Sequence, residues 1–383
     1  FSYDNELNVP YRIIDPHVPS ENGIPEVIID DGHPDVRLSP ISDLLKTYRL
    51  LTSRTYAIKN AHIGTAQGTL KLREELVHYL SVTRGLNISA DNILITHGAQ
   101  MSIYLAAQLL LNSLSAIIVG KPNYGVANKT FAETGATLIE VPVDKEGIDT
   151  DKIEQLCKKE KISAVYVIPH HHYPTTVTLS VERRMKLLEL SARFSFVIIE
   201  DDYDYDYHYA SSPYLPLASA HHQGNVIYIG SFSKILDPSL RIGFMVAPKN
   251  FVAQCTALRK IIDVGGDGYM QNALAMLIKE GELKRHLNKA KKIYHQRRDF
   301  LDELLRNRLS GHVTYSLPSG GMAVWIMLQK DFSVDDLQQS GKLKIIRTDS
   351  ELNAFRFGFA SMDEQELEAA VNLLASRLGK RDL

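Results

Sequence analysis

Short apolar runs alternate with longer amphipathic stretches through most of the chain. Residues 70–86 repeat apolar positions at helical spacing and stop at Gly85, a glycine where helices commonly end. Residues 92–96, 116–119, 137–141, 164–168, 196–200, 226–230 and 242–246 are brief runs rich in Val and Ile. They read as strands, with helices at 99–111, through 129–133, at 150–160 and at 181–194. Strands that are apolar on both faces suit a largely parallel sheet covered on both sides. Their alternation with helices predicts a doubly wound α/β architecture. Ligands of such sheets bind outside the C-terminal ends of the strands.

The texture changes after about residue 250. Helices are expected at 251–263, 271–280, 283–309 and 363–378, with strand-like pieces at 322–327 and 344–347. This part reads as a smaller α+β domain. The first forty residues carry Pro10, Pro16, Pro19, Pro25 and Pro34 and no clear period, which predicts an extended arm. The expected division is an arm at 1–40, a large domain at 41–250 and a small domain at 251–383.

Composition narrows the function classes. A chain of 383 residues is too long for one small core. Its 43 basic and 45 acidic side chains nearly cancel, which leaves no electrostatic footprint for nucleic acid or an anionic membrane. No apolar run approaches the ~20 residues that span a bilayer. Cys157 and Cys255 form no disulfide framework or zinc spacing, which fits a cytoplasmic setting. The chain opens at Phe1 rather than Met, on the proline-rich arm, as a segment following a linker would.

Four predicted strand ends carry candidate chemistry. Thr96-His97-Gly98-Ala99-Gln100 joins a strand to a helix, and exposed backbone N–H groups there suit a phosphate. Glu200-Asp201-Asp202-Tyr203 follows an apolar strand, where a carboxylate needs a partner. Gly230-Ser231-Phe232-Ser233-Lys234 puts an amine at a strand end, and burial there would favour imine formation. Arg241, seven residues on, could clamp a phosphate. Each segment alone also reads as an ordinary turn or surface loop. Together, amine, carboxylate and phosphate donors match the needs of pyridoxal 5′-phosphate, PLP. The clusters His170 to His172 and Asp204 to His208 lack metal-ligand spacing, and no metal is expected.

From Gly32-His33-Pro34-Asp35 to the last helix, the chain resembles the fold-type-I PLP-dependent aminotransferases, and most closely the aminotransferase domain of MocR/GabR-type regulators. Three stretches carry the resemblance: Ile199-Glu200-Asp201-Asp202-Tyr203-Asp204, Ile227-Tyr228-Ile229-Gly230-Ser231-Phe232-Ser233-Lys234 and Pro238-Ser239-Leu240-Arg241-Ile242-Gly243. The resemblance implies a mostly parallel sheet of seven strands, a homodimer, and amino-group transfer between an amino acid and a 2-oxo acid. It implies Lys234 as the Schiff-base lysine and proton carrier, Asp201 at the pyridine nitrogen and Tyr203 at the phenolic oxygen. It places Ser231, Ser233, Arg241 and the backbone of Gly98, Ala99 and Gln100 at the phosphate. Tyr124 would stack on the ring, His172 would contribute from its loop, and Arg356 would take the substrate α-carboxylate.

The chain departs from the family in three places. The loop that usually reads His-Gln-x-Pro-Thr-Gly is His171-His172-Tyr173-Pro174-Thr175-Thr176. Ile63 stands where a tyrosine often reaches the partner subunit's phosphate, and no arginine follows closely after Tyr124 to form a second clamp. The alternative function is the effector-sensing part of a regulator, separate from its DNA-binding domain and without DNA contacts of its own. A PLP lyase, decarboxylase or racemase would use the same core residues.

Overall fold

The computed structural model describes residues 10, 12, 14, 26–53, 65–209, 214–338, 343–346 and 352–379. Phe1, Pro16, Pro19, Pro25 and Ile63, and residue 347 at the end of a strand-like piece, lie outside them.

In chain order, Val27–Ile29 (β1) and Ile41–Thr52 (α1) precede the alternating region. That region comprises Leu70–Arg84 (α2), Ile93–Thr96 (β2), Ala99–Leu110 (α3), Ala116–Lys121 (β3) and Gly125–Ala132 (α4). It continues with Thr137–Asp144 (β4), Gly147–Ile148 (β5), Thr150–Cys157 (α5), Ala164–Val167 (β6) and Val181–Phe194 (α6). Val197–Asp202 (β7), Val226–Ser231 (β8) and Gly243–Val246 (β9) complete it. The C-terminal part holds helices Lys249–Ile262 (α7), Gly268–Lys279 (α8) and Glu282–Arg308 (α9), then strands Val313–Tyr315 (β10) and Ala323–Leu328 (β11). Val334–Gln338 (α10), Leu343–Ile345 (β12), Ala354–Gly358 (β13) and Glu364–Leu378 (α11) follow.

The main sheet has eight strands in the order β2-β9-β8-β7-β6-β3-β4-β5. Its central pairs are parallel, while β9 runs against both neighbours and β5 against β4. The eighth strand is the two-residue edge β5. It lies beyond the seven implied by resemblance because a turn at Lys145 and Glu146 folds the chain back on β4.

Side chains alternate across the sheet. Ile117 and Val119 pack on α3 and α4, while Ile118 packs on α5 and α6. Val165 and Tyr166, and Ile198 and Ile199, split the same way. Each such side chain, fully buried, contributes about 2 kcal/mol of apolar transfer free energy. Helices on both faces account for the absence of a polar face in these strands.

Local signals fix the helix ends. Thr69 accepts a hydrogen bond from the Leu72 amide at the start of α2, and Gly85 ends it at φ +67°. Asp363 and Glu366 form a capping box at α11.

The reading of residues 1–40 as an arm changes at its end. Val27–Ile29 pairs in parallel with β12, and Ile29 is fully buried. Two elements had no clear pattern. In α1 only Leu44 and Leu51 are buried, with charged side chains between them. β10 spans three residues and buries none fully.

Candidate active site

Six strands of the sheet run the same way, so their C-terminal ends share one edge, and β9 begins at that edge. The four segments singled out in the sequence meet there. They line a cavity of about 280 Å³ bounded by Ala99, Gln100, Tyr124, Asp201, Tyr203, Ser231, Ser233, Lys234 and Arg241.

Lys234 follows β8 and turns its amine inward, where Nζ donates to the Gly32 carbonyl oxygen at 2.8 Å. Burial lowers its pKa, against the opposing pull of Asp31. A lowered pKa enlarges the neutral fraction, the form that attacks a carbonyl.

Asp201 projects from β7 on the face opposite Glu200 and Asp202. Its Oδ2 accepts from the Tyr166 hydroxyl at 2.7 Å, while Oδ1 is buried without a partner. Burial, aided by Asp202 and Asp204 and opposed by Tyr166, pushes its pKa up to about 7. Tyr203 donates to the His171 carbonyl at 2.9 Å.

α3 starts with no side-chain cap and brings Ala99 and Gln100 to the cavity wall. Its first turn lies beside Arg241, whose Nη2 donates to the His97 carbonyl at 3.1 Å. Ser231 Oγ accepts from the Ser233 amide at 3.1 Å, and Ser233 Oγ is buried without a partner. Tyr124 stands on the wall, edge to face with Tyr173.

Three predicted site residues do not line the cavity. Gly98 lies behind Arg241: a Cβ there would come 2.8 Å from the guanidinium, and its φ of +81° favours glycine. His172 faces away and donates from Nε2 to the Pro122 carbonyl at 2.9 Å. Burial lowers its pKa to about 4, so the ring is neutral. Successive residues of this loop point in different directions, and the neighbouring Tyr173 takes the wall position instead. Arg356 sits behind the wall, over the Tyr173 ring, and donates to Asp31 O at 2.6 Å, Pro174 O at 3.1 Å and the Tyr203 hydroxyl at 3.2 Å.

Asp31, His33 and Tyr173 also line the cavity and were given no role from sequence. The only signal was their position beside Gly32 and Pro174, within segments that resemble the family. Among the described residues, Asp30, Asp31 and His33 are the one group close enough to share a metal ion. Asp30 is already committed: Oδ1 accepts from the Gly32 and His33 amides and Oδ2 from Ser361. The three adjacent histidines diverge, since His170 pairs with Asp202 and His171 with Asp204.

A buried polar network holds the acidic stretch in place. Glu200 accepts from the Leu217 and Ala218 amides at 2.8 and 2.9 Å, and burial raises its pKa to about 8. Asp202 accepts from Tyr228, which also accepts from Arg84 of α2. Arg84 is paired with Asp206 at 2.6 Å with both side chains nearly inaccessible. Removing one partner strands a buried charge. Asp206→Ala is therefore expected to lower stability by about 3–5 kcal/mol, read as the shift in urea midpoint. An unchanged midpoint would show that water replaces the carboxylate.

The residues present fit a PLP-like group. An unpartnered buried oxygen of Asp201 and an unpartnered hydroxyl of Ser233 each cost about 1–3 kcal/mol unless a ligand completes them. Both residues line the cavity that Lys234 also lines, so a ring nitrogen cation and a phosphate there would give each a partner.

Comparison with known proteins agrees with this geometry. Residues 53–374 match the family model described as aminotransferase class I and II. The chain is similar to aromatic-amino-acid aminotransferase 1 of Thermococcus litoralis, at 28% identity over 84% of this chain and 81% of that protein. It is also similar to the HTH-type transcriptional regulator YisV of Bacillus subtilis, at 30% identity over 70% of this chain. That match covers 55% of the regulator, so the chain spans about half its length. The structure superposes on kynurenine aminotransferase from Pyrococcus horikoshii with TM-score 0.85 and 26% identity, covering 93% of this chain and 91% of that one. The cavity at the strand ends, the family match and the shared fold lead to one assignment: this chain belongs to the class I and II aminotransferases, the fold-type-I family of PLP-dependent proteins.

Proposed function

We propose that this chain binds PLP in the cavity through Lys234 and transfers an amino group between an amino acid and a 2-oxo acid. The observation that carries the proposal is Asp201, a buried carboxylate with one unpartnered oxygen, set in the wall of the same cavity as a buried lysine amine. Bound there, PLP supplies an electron sink for the pair left when the substrate Cα loses its proton.

The chain's own residues divide the remaining work. Asp201 keeps the ring nitrogen protonated, and Tyr166 orients that carboxylate. Tyr203 offers a hydroxyl to the ring oxygen, and Tyr124 covers the ring face. Ser231, Ser233, Arg241 and the first N–H groups of α3 take the phosphate. Lys234 Nζ moves the Cα proton. Arg356 now donates to two carbonyls and a hydroxyl, all uncharged; a substrate α-carboxylate would replace a neutral acceptor with an anionic one, which binds more strongly. The proposal includes a homodimer, as the family resemblance implies, and a cytoplasmic setting. No helix among the described residues is long and apolar enough to cross a membrane.

A second reading rests on the half-length match to a regulator. In it the same cavity binds an amino acid effector, and another part of a longer protein contacts DNA.

One experiment tests both readings: absorbance of the PLP-loaded protein before and after addition of a panel of amino acids. A band that shifts, with release of a 2-oxo acid, supports the aminotransferase. A shift without release supports the effector site. A folded protein that shows no band after loading overturns both.

A further inference from the structure

We propose that Asp31 makes this cavity selective for amino acids with a cationic side chain and against those with a second carboxylate. The inference rests on the aminotransferase reading and names its substrate class.

The position of Asp31 carries the argument. The Gly32 carbonyl holds Lys234 Nζ at 2.8 Å, so Asp31 and His33 flank the reacting amine. The Asp31 carboxylate lines the same cavity. Its Oδ2 accepts from Tyr173 at 2.6 Å, and its Oδ1 is buried without a hydrogen-bond partner. His33 Nε2 is 3.3 Å from that oxygen, outside good hydrogen-bond geometry.

The charges around it do not cancel during turnover. Burial pushes the Asp31 carboxyl up, but Lys234, Tyr173 and Arg356 more than offset this, so it stays ionised at neutral pH. Burial and Lys234 together lower the pKa of His33 and favour its neutral form. The Lys234 amine is the group that reacts, and Arg356 serves the α-carboxylate. The Asp31 carboxylate then stands in the wall of the substrate's cavity with one acceptor oxygen that makes no hydrogen bond. A side-chain carboxylate arriving there meets a like charge in a poorly solvated site, whereas an ammonium completes the pair.

The test compares ornithine, glutamate and the neutral norvaline in the spectral half-reaction of the PLP-loaded protein, in wild type and Asp31→Asn. Wild type should favour ornithine over glutamate by at least about tenfold, with norvaline between, and the variant should lose most of that ratio. Calorimetry with glutarate, which has no amine to react, gives an independent reading: binding should tighten by about tenfold in Asp31→Asn. Glutamate reacting as readily as ornithine in wild type, or an unchanged ratio in the variant, overturns the role of Asp31 and leaves the aminotransferase reading intact. If no amino acid shifts the spectrum, the aminotransferase reading fails and this inference fails with it.

Discussion

Lys234→Ala should abolish the visible absorption band of the PLP-loaded protein and its half-reaction with every amino acid. No other described lysine lines the cavity, and the Lys234 amine reaches it from the end of β8. Loss of both the covalent tether and the proton carrier should lower the rate by about four or more orders of magnitude, since covalent and acid–base catalysis fail together. The folded state should survive. The Lys234 amine makes one hydrogen bond, to Gly32 O; truncation relieves a desolvated cation and also removes a charge that favours the Asp31 carboxylate, two effects that oppose each other. Equal urea midpoints in wild type and variant, with the band gone, would place the loss in chemistry. A variant that kept the band and full turnover would show that another amine does the work and would overturn the proposed function.

The alternating region was readable because its strands are apolar on both faces and its helices carry local stop signals. Gly85 and the Thr69 cap mark α2 in the sequence itself. The C-terminal edge of a parallel sheet then predicts where Asp201, Lys234 and Arg241 meet, although each stands alone as an ordinary loop residue. What stayed hidden depends on long-range contact. β1 exists through its pairing with β12, more than three hundred residues away in sequence. Asp31 enters the site through that same segment, so no local pattern marks it. Tyr166 looks like one more core residue of β6, and only the fold brings its hydroxyl to Asp201. His172 and Tyr173 show the reverse failure. The loop was readable as part of the site, but which of two neighbours faces the cavity depends on backbone direction, and His171 takes φ +45° between them and the strand.

Asp201→Asn should separate the stability of the cofactor-free protein from its catalysis, with opposite signs. An ordinary aspartate has a pKa of about 4, and burial raises that of Asp201 to about 7. The folded protein thus binds this proton more tightly than the unfolded chain. Its contribution to stability is fully present below about pH 4 and is lost as pH rises to about 7, a change of about 4 kcal/mol. Asparagine carries no such proton. The cofactor-free variant should match wild type near pH 4 and exceed it in urea midpoint at pH 8, with the gap opening between those values. Catalysis should move the other way. A ring nitrogen bound beside it would give the Asp201 carboxylate the cation it lacks, and the paired charge would favour electron flow into the ring. Asparagine offers a dipole in its place, so the half-reaction should slow by about 10²–10³-fold, the usual loss when a preorganised charge is removed. A variant that is more stable without cofactor yet slower with it would place the strain of this buried carboxylate in the service of the ring. Equal stability at pH 8 would mean that Asp201 is not held against its own ionisation, and an unchanged rate would remove it from the ring nitrogen.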